Sequence, residues 1–414
     1  MTSGPVTPPE RIGVIDVLRG FALLGILVMN IQSFSMPDAA YLNPTAYGDL
    51  TGGNLTVWML GHLLTDEKMF GLFSMLFGAG IVLMAERIEQ RGGAPARVHY
   101  RRMGWLMLFG LLHGHLLWPG DVLWLYGLVG LVVYPLRRLP PRVLLMLALA
   151  VFAANSALFI AIGFAIRALP PDMLDVFARE NWLPTAEMIA EEIETLGRSG
   201  WLQQMPSRMS DALFMETLGG LVLMGAKAFG NMLLGMALFK WGILTGQRST
   251  RDYLLMMAFG FLMGLSVVAF GIRQHFAAGW DVRYSLFWGS QFNYWGAIIV
   301  DMGWIGLVVL VGRTFTSITR PLAAVGRTAF SNYILQTIIC TTLFYGHGFG
   351  WFGTVSRVEQ FRIVLAIWAF QLVVSPLWLR FFESGPLEWL WRSLTYGRPM
   401  SFLRRGAPRD VAHS

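Results

Sequence analysis

The sequence predicts an all-α fold, a polytopic transmembrane bundle of about ten helices with both termini in the cytoplasm. Three observations support this prediction. Hydrophobic residues make up 55% of the chain, charged residues 14%, and the mean hydropathy is +0.53, whereas soluble domains carry about a quarter charged residues. Ten apolar stretches are long enough to cross a bilayer. Basic residues crowd every second connector between them.

About 20 helical residues, at a rise of 1.5 Å each, cross the hydrocarbon core of a bilayer. Stretches of this kind lie at 13–33, 69–86, 103–119, 121–136, 143–166, 213–239, 253–271, 288–312, 322–345 and 361–380. The piece 55–66 precedes the second stretch and indicates an interfacial helix that leads into it. The stretch 121–136 is short, which predicts either a span with little tilt or a span in a thin region of the membrane.

The positive-inside rule assigns a side of the membrane to each connector. Arginines mark the second, fourth, sixth and eighth connectors and the tail as cytoplasmic. They are Arg87, Arg91, Arg97, Arg101 and Arg102, then Arg137, Arg138 and Arg142, then Arg248 and Arg251, then Arg313 and Arg320, and finally Arg392, Arg398, Arg404, Arg405 and Arg409. The five groups agree, so an even number of crossings is predicted.

One long polar stretch divides the chain. Residues 1–168 are predicted as N-terminal transmembrane helices, 169–210 as an external polar loop, 211–385 as C-terminal transmembrane helices and 386–414 as a cytoplasmic amphipathic tail. Within the loop, residues 186–197 carry apolar side chains on one stripe and acids opposite, which predicts a surface helix. The tail segment 387–392 carries two tryptophans and an arginine, which predicts an anchor on the inner leaflet or a cap on the bundle.

Charge and cysteine content exclude other classes of protein. The net charge of +7 and the pI near 9.7 are explained by basic rims that face anionic lipid, and no nucleic-acid partner is expected. The first apolar segment carries Asp16 and Arg19 and lacks a small-residue cleavage pattern, so we expect it to remain as the first helix. Cys340 is the single cysteine, and neither HExxH nor a cluster of histidines and carboxylates occurs, so no metal site is expected.

Ionisable groups inside a span need a partner or a cavity, so each is a candidate for function. In the first helix Arg19 lies three residues after Asp16, and Asn30 lies eleven residues, about three turns, after Arg19. The three side chains therefore share one stripe that faces the bundle. Asp16 and Arg19 are expected to pair with each other or with lipid phosphates, whereas Asn30 either joins two helices or binds a substrate carbonyl.

The third helix ends in a histidine pair. His113 and His115 are two residues apart, about 200° around a helix, so both cannot line one pocket unless the helix unwinds. A Pro-Gly turn then brings Asp121 back on the same side of the membrane, where its carboxylate either caps the next helix or orients an imidazole as a general base. We predict His113, Asp121 and Asn30 as catalytic residues.

Further polar stripes are predicted in the C-terminal half. Lys227 follows Glu216 by eleven residues, Asn231 follows Lys227 by four, and both spacings return nearly to the same angle around a helix. The three side chains are therefore predicted on one face of the sixth segment. Asp301 of the eighth span is predicted as the counter-charge of Lys227.

Asn332 and Gln336, four residues apart in the ninth span, predict an interhelical hydrogen-bond seam or a pore lining. Small-residue segments around Gly78 and Gly235 predict close helix packing. The residues predicted to bind substrate are Asp16, Arg19, His115, Glu216, Lys227, Asn332 and Gln336.

Several motifs resemble those of the YeiB family of bacterial inner-membrane proteins. They are the first helix from Arg11 to Asn30, the segments 73–78 and 113–121, and the segments 326–336 and 385–392, which resemble the domain of unknown function 418. The likeness spans nearly the whole chain. It implies a multi-pass protein of the bacterial inner membrane, in a family loosely associated with transport.

The first helix also resembles, more distantly, that of membrane-embedded acyltransferases such as the lysosomal heparan acetyltransferase. In those enzymes an asparagine at the end of this helix is followed about three turns later by a catalytic histidine. Asn30 matches the asparagine, but Tyr41 stands at the position of the histidine. An acyltransferase built on this chain therefore needs His113 or His62 to supply the base.

The sequence is consistent with three functions: an acyltransferase, a transporter or flippase, and a non-catalytic scaffold. The first is an envelope acyltransferase in which His113, oriented by Asp121, deprotonates an acceptor hydroxyl or amine and Asn30 holds the acyl carbonyl. Arg19 or the basic rim then binds the phosphates of an acyl-CoA or lipid acyl donor. The second is a transporter or flippase of a small polar or lipid-like substrate. Membrane lipids and a small-molecule, lipid or glycan substrate are the expected partners, and a homodimer is left open.

Overall fold

The computed structural model describes residues 13–404 and shows a bundle of helices. The predicted basic residues Arg405 and Arg409 and the start of the first motif at Arg11 lie outside the described residues. In chain order the helices are α1 (Gly13–Ser35), α2 (Ala39–Leu42), α3 (Gly52–Leu64), α4 (Lys68–Gln90), α5 (Pro95–Leu116), α6 (Leu123–Val133), α7 (Pro141–Arg167), α8 (Pro171–Asn181), α9 (Ala186–Gly197), α10 (Met205–Glu216), α11 (Leu218–Gly220), α12 (Ala226–Lys240), α13 (Thr250–Ala277), α14 (Val282–Tyr284), α15 (Ser290–Thr314), α16 (Thr316–Arg327), α17 (Ala329–Phe344), α18 (Arg357–Phe381) and α19 (Pro386–Tyr396).

Helices occupy every predicted span, and the all-α membrane fold is confirmed. Within residues 13–404, seven helical segments are long and apolar enough to cross a membrane. They are Gly13–Ser35, Gly52–Gln90, Pro141–Arg167, Leu221–Lys240, Thr250–Ala277, Val282–Thr314 and Arg357–Phe381. Three predicted spans are not both long and apolar enough. The first part of α5 is rich in arginine, α6 ends at Val133, and a break at Thr328 separates α16 from the short apolar α17. The membrane side of the termini stays a prediction.

The arginine-rich connectors meet at one end of the bundle, which we call the basic end. Arg137 forms an ion pair with Glu89 at 3.0 Å, which joins the second and fourth predicted connectors. Arg313 donates to the backbone oxygen of Arg248 at 2.6 Å, which joins the sixth and eighth. We call the opposite end, which carries the segments 36–51 and 169–204, the loop end.

Close helix crossings hold the core together. A Cβ on Gly78 of α4 would lie 2.1 Å from the backbone oxygen of Met232, and a Cβ on Gly235 of α12 would lie 1.9 Å from that of Met75. Only glycine allows backbones to approach this closely. The packing role predicted for both small-residue segments is therefore confirmed.

The surface helix predicted over 186–197 is α9, and it begins and ends at the predicted residues. The side chain of Glu192 in α9 contacts the segment after α1, where the backbone N–H of Asp38 donates to Glu192 Oε1 at 2.9 Å. The contact fixes part of the external loop to the bundle.

This contact predicts a pH dependence of stability. Burial and the charge of Asp38 raise the pKa of Glu192 from 4.5 to about 7. The folded protein therefore binds this proton more tightly than the unfolded chain, so stability is lost as the pH rises from about 5 to about 7. We expect Glu192→Gln, which keeps the acceptor for Asp38, to unfold at higher temperature than the wild type at pH 8, by the equivalent of about 1 kcal/mol. Melting curves from pH 5 to 8 measure this, with the exposed Glu191→Gln as control; identical curves for Glu192→Gln and wild type would contradict it.

The described part of the tail packs on the end of the bundle. The carboxylate of Glu388 in α19 accepts the backbone N–H groups of Phe330 and Ser331 at 2.6 and 3.1 Å, at the start of α17. The indole of Trp391 donates to the backbone oxygen of Arg102 at 3.0 Å. These contacts are those of the predicted cap, and contact of the tail with the inner leaflet stays a prediction.

Candidate functional site

A pocket opens at the basic end between α1, α4, α5, α6, α17 and α19, with a volume of about 280 Å³. Five arginines line it where their segments reach the basic end: Arg19, Arg87, Arg102, Arg327 and Arg392. Apolar and aromatic side chains line the interior, among them Leu23, Ile26, Phe73, Phe77, Leu106, Leu123 and Tyr126. The pocket thus combines a positively charged mouth with an apolar interior.

The acidic groups at the mouth are already bound within the protein. Asp16 forms an ion pair with Arg19 at 2.9 Å, as predicted, and Arg19 also contacts the backbone oxygen of Gly326 at 3.4 Å. Glu388 is held by the first N–H groups of α17. The guanidinium of Arg102 lies 4.4 Å from the centre of the Trp391 ring. The mouth therefore carries an excess of positive charge.

Asn30 continues the stripe of α1 that forms one wall of the pocket. The α1 side chains in that wall are Ile15, Asp16, Arg19, Leu23 and Ile26. Asn30 follows Ile26 by four residues on the same helical face, about 6 Å farther toward the loop end. Asp16 and Arg19 of the predicted stripe line the pocket, whereas Asn30 is not among its lining residues and, by helix geometry, lies past its inner end.

His113 and Asp121 meet behind this inner end. His113 Nδ1 lies 2.8 Å from Asp121 Oδ1, and Asp121 Oδ2 accepts the backbone N–H of Trp124 at 2.8 Å. The carboxylate therefore orients the imidazole and caps α6 at once. Gly110 permits this approach, because a Cβ there would lie 2.2 Å from the Trp124 nitrogen. Tyr333 joins the pair to the pocket, since it lines the pocket and its ring centre lies 5.2 Å from that of His113.

The hydrogen bonds indicate the tautomer of His113. In the neutral imidazole the Asp121 carboxylate accepts the Nδ1–H, so Nε2 carries the lone pair and lies 3.0 Å from the Thr337 hydroxyl, which also lies 3.5 Å from the backbone oxygen of Tyr333. The imidazole is buried, with 2% of the residue exposed. A general base needs this tautomer, and the Thr337 hydroxyl lies where an acceptor hydroxyl would have to lie.

His115 and Glu216 pair with each other, away from the pocket. His115 Nδ1 lies 3.3 Å from Glu216 Oε1, so the two histidines of α5 face different neighbours, as a continuous helix requires. The prediction of one helix over 213–239 with Glu216 and Lys227 on one face is wrong, because the extended Thr217 ends α10 before α12 begins. The chain turns tightly here; a Cβ on Gly220 would lie 2.0 Å from a backbone oxygen.

Lys227 and Asn231 lie one turn apart on α12, as predicted, but the counter-charge is a different residue. Lys227 Nζ pairs with Glu67 Oε2. Asp301, the predicted partner, instead lies against Gly71, where a Cβ would be 2.4 Å from Asp301 Oδ2. The short segment between α3 and α4 packs against α12, and this packing places the Glu67 carboxylate in contact with the ammonium group of Lys227.

Asn332 and Gln336 form a hydrogen-bond seam between α17 and α18. Asn332 Nδ2 donates to Ser375 Oγ at 2.9 Å, and Gln336 Nε2 donates to Gln371 Oε1 at 2.9 Å. The sequence allowed an interhelical seam or a pore lining, and the observed hydrogen bonds are those of an interhelical seam. Neither residue lines the pocket at the basic end.

Three charged residues just before α4 were not predicted as site residues: Asp66, Glu67 and Lys68. Lys68 is fully buried. A signal for them exists, because this charged triplet directly precedes an apolar span without any loop between them. Of the pocket arginines, Arg19 was predicted to bind substrate, whereas Arg87, Arg102 and Arg392 were predicted individually only as markers of the cytoplasmic side.

Comparisons with known proteins give relatives over the whole chain. A family described as a protein of unknown function (DUF418) matches residues 238–398. The uncharacterized protein YeiB of Escherichia coli (strain K12) is 33% identical over 93% of this chain and 96% of its own length. The uncharacterized protein YxaH of Bacillus subtilis (strain 168) is 31% identical over 95% of this chain and 96% of its own length. An uncharacterized 39.9 kDa protein of Bacillus acidopullulyticus is 26% identical over 96% of this chain and 98% of its own length.

Proposed function

The chain belongs to the YeiB family, and we propose that it is a membrane-bound acyltransferase that moves an acyl group from a phosphate-bearing donor to an envelope acceptor. One observation carries this proposal: the pocket pairs a mouth of five arginines with an apolar interior that ends beside an oriented histidine. A donor with an anionic head and an acyl arm, such as an acyl-CoA or a lipid acyl donor, has the matching chemistry.

The mouth suits phosphate groups. Arginine binds phosphate through short charge-assisted hydrogen bonds, often two at once. Asp16 is paired with Arg19 and Glu388 is held by α17, so neither neutralises the whole arginine group. The α1 wall of the pocket runs from Ile15 to Ile26, about 16 Å. Asp16 and Arg19 lie at its mouth and Leu23 and Ile26 in its interior, which directs the acyl end of a donor toward Asn30 and His113.

The chemistry requires a base and a group that stabilises the oxyanion. His113 Nε2 takes the proton of the acceptor hydroxyl while the oxygen of that hydroxyl attacks the acyl carbonyl. The rest of the donor leaves as a thiolate or alcoholate, which receives this proton from the imidazolium. Asp121 stabilises the imidazolium. The amide of Asn30 donates to the oxyanion. In this scheme the acceptor hydroxyl replaces the Thr337 hydroxyl at Nε2, by rotation of the threonine side chain.

Binding of a donor tests the mouth. We expect Arg102→Ala to weaken the binding of radiolabelled palmitoyl-CoA to the protein in lipid nanodiscs by about tenfold to a hundredfold, because one charge-assisted contact is lost. Arg138→Ala is the matched control, since this arginine lies at the basic end but is not part of the pocket lining and its side chain is 76% exposed. No binding to the wild type, or equal binding by both variants, would overturn the assignment of the mouth.

A transporter or flippase is the second candidate, and one observation favours it. Lys227, Asp301 and Lys68 are buried ionisable groups inside the bundle, and such groups often mark transport pathways. Thiol labelling of single cysteines introduced along α1 and α12 distinguishes the two functions. Labelling from both sides of the membrane at every depth supports transport, whereas a reactive stretch that ends at Ile26 supports the acyltransferase.

A further inference from the structure

A second polar site lies between α4, α12 and α15, apart from the pocket. We call it the charge network. Its members are Tyr41, His62, Asp66, Glu67, Lys68, Lys227, Asn231, Asn293, Tyr294 and Asp301. His275 of α13 is a further imidazole within electrostatic range of His62.

Hydrogen bonds connect the part of the network nearest the loop end. His62 Nδ1 lies 2.9 Å from Asp66 Oδ2, and Asn293 Nδ2 donates to the same oxygen at 3.2 Å. Lys68 Nζ donates to Asn293 Oδ1 and to the backbone oxygen of His62. Asn293 therefore links the ammonium of Lys68 to the carboxylate of Asp66.

The backbone around the network is irregular at three points. Glu67 has a left-handed conformation with φ of 63°, which is strained for a residue with a Cβ. The π-helical segments Leu221–Gly225 and Ser285–Gly289 directly precede α12 and α15, which carry Lys227 and Asn293. Such irregularities occur frequently at functional sites.

Two buried side chains of the network have polar atoms without partners. Asp301 is 1% exposed and its Oδ1 has no hydrogen bond within the described part of the chain. Asn231 is 0% exposed, and both amide atoms lack one in the same region. Both amino acids lie beside Gly71. An ionised carboxylate in such a place is strongly penalised.

Four charged groups of the network balance one another without Asp301. Two ammonium groups, Lys68 and Lys227, face two carboxylates, Asp66 and Glu67. A third carboxylate would give the buried set a net negative charge. We infer that Asp301 is a proton-binding site, and that its exchangeable proton decides which carboxylate pairs with Lys227.

The two states follow from this arrangement. With the proton on Asp301, Lys227 pairs with Glu67, which is the arrangement observed. When Asp301 loses the proton, its carboxylate competes with Glu67 for Lys227, because Asp301 lies within electrostatic range of this ammonium. His62, Asp66 and Glu67 have side chains 18%, 24% and 32% exposed, so the proton enters and leaves where these three side chains reach the protein surface.

Infrared difference spectroscopy of the full-length protein in nanodiscs tests the inference. At pH 8, where Glu192 is mostly ionised, we expect a C=O stretching band of a protonated carboxylic acid that is present in the wild type and lost in Asp301→Asn. The control is Asp252→Asn, which removes an exposed carboxyl at the start of α13 and should leave the band unchanged. A band of full strength in Asp301→Asn would overturn the inference.

A second variant tests the switch and does not depend on the folding of the first. In Glu67→Gln the network balances with Asp301 ionised, so Lys227 should pair with Asp301 and the carboxylic acid band should disappear although Asp301 is still present. Persistence of the band in Glu67→Gln would contradict the switch of partners. Neither outcome depends on acyl transfer.

Discussion

Replacing His113 with alanine should lower the rate of acyl transfer by about a hundredfold to ten-thousandfold, which is the usual contribution of a general base. The prediction rests on the hydrogen bond from Nδ1 to Asp121 and on the lone pair that Nε2 presents to Thr337. Transfer of a radiolabelled acyl group from acyl-CoA to an extract of envelope glycans and lipids by membranes that contain the protein measures it.

Two further variants separate catalysis from folding. His347→Ala removes an exposed histidine of the loop end and should keep the wild-type rate. Asp121→Asn should lower the rate with donor binding unchanged, because the amide can donate to Nδ1 and favour the wrong tautomer. If folded His113→Ala protein transferred the acyl group at the wild-type rate, the assigned base would be wrong.

Adding a single methyl group at Gly78 should destabilise the bundle by about 3 kcal/mol. The new Cβ would lie 2.1 Å from the backbone oxygen of Met232, so α4 and α12 must move apart. In a helix that made no such contact, the same change would stabilise by about 0.5–1 kcal/mol. The sign of the effect therefore reports the crossing of the two helices, and the temperature of unfolding in detergent measures it.

Gly80→Ala is the matched control, two residues along the same helix. A Cβ on Gly80 meets no atom within 4 Å, because this residue faces the pocket. It should unfold at or slightly above the wild-type temperature. Equal unfolding temperatures for Gly78→Ala and Gly80→Ala would show that α4 and α12 do not cross as closely as described.

The helices could be predicted because apolar length alone decides whether a segment is stable in lipid. The same reasoning missed the break at Thr217. Gly219 and Gly220 are a signal for a turn, but the apolar residues that flank them also predict one continuous span.

Contacts near in sequence were easier to predict than distant ones. His113 and Asp121 are eight residues apart, and the turn between them leaves few other geometries. Glu67 and Lys227 are 160 residues apart, and several acids inside the spans compete for the ammonium. Lys227 pairs with Glu67 because of how the helices pack against one another, and no local sequence pattern predicts that packing.

The pocket could not be predicted for a related reason. Its arginines come from segments as far apart as Arg19 and Arg392, and Arg87, Arg102 and Arg392 alone are ordinary residues of connectors that the sequence predicts to be cytoplasmic. Only the packing of α19 against α5 and α17 gathers them around one mouth. The tail, which the sequence also allowed as a lipid anchor, thereby becomes part of the site.

Photo-crosslinking with an acyl-CoA that carries a diazirine in its acyl chain tests the central claim, that the pocket receives the acyl arm of a phosphate-bearing donor. Mass spectrometry of the labelled protein should place the adducts on interior residues such as Phe73, Phe77 and Tyr126, and unlabelled acyl-CoA should compete. Adducts confined to exposed side chains of α13, such as Phe259 and Leu262, with no competition, would contradict the claim.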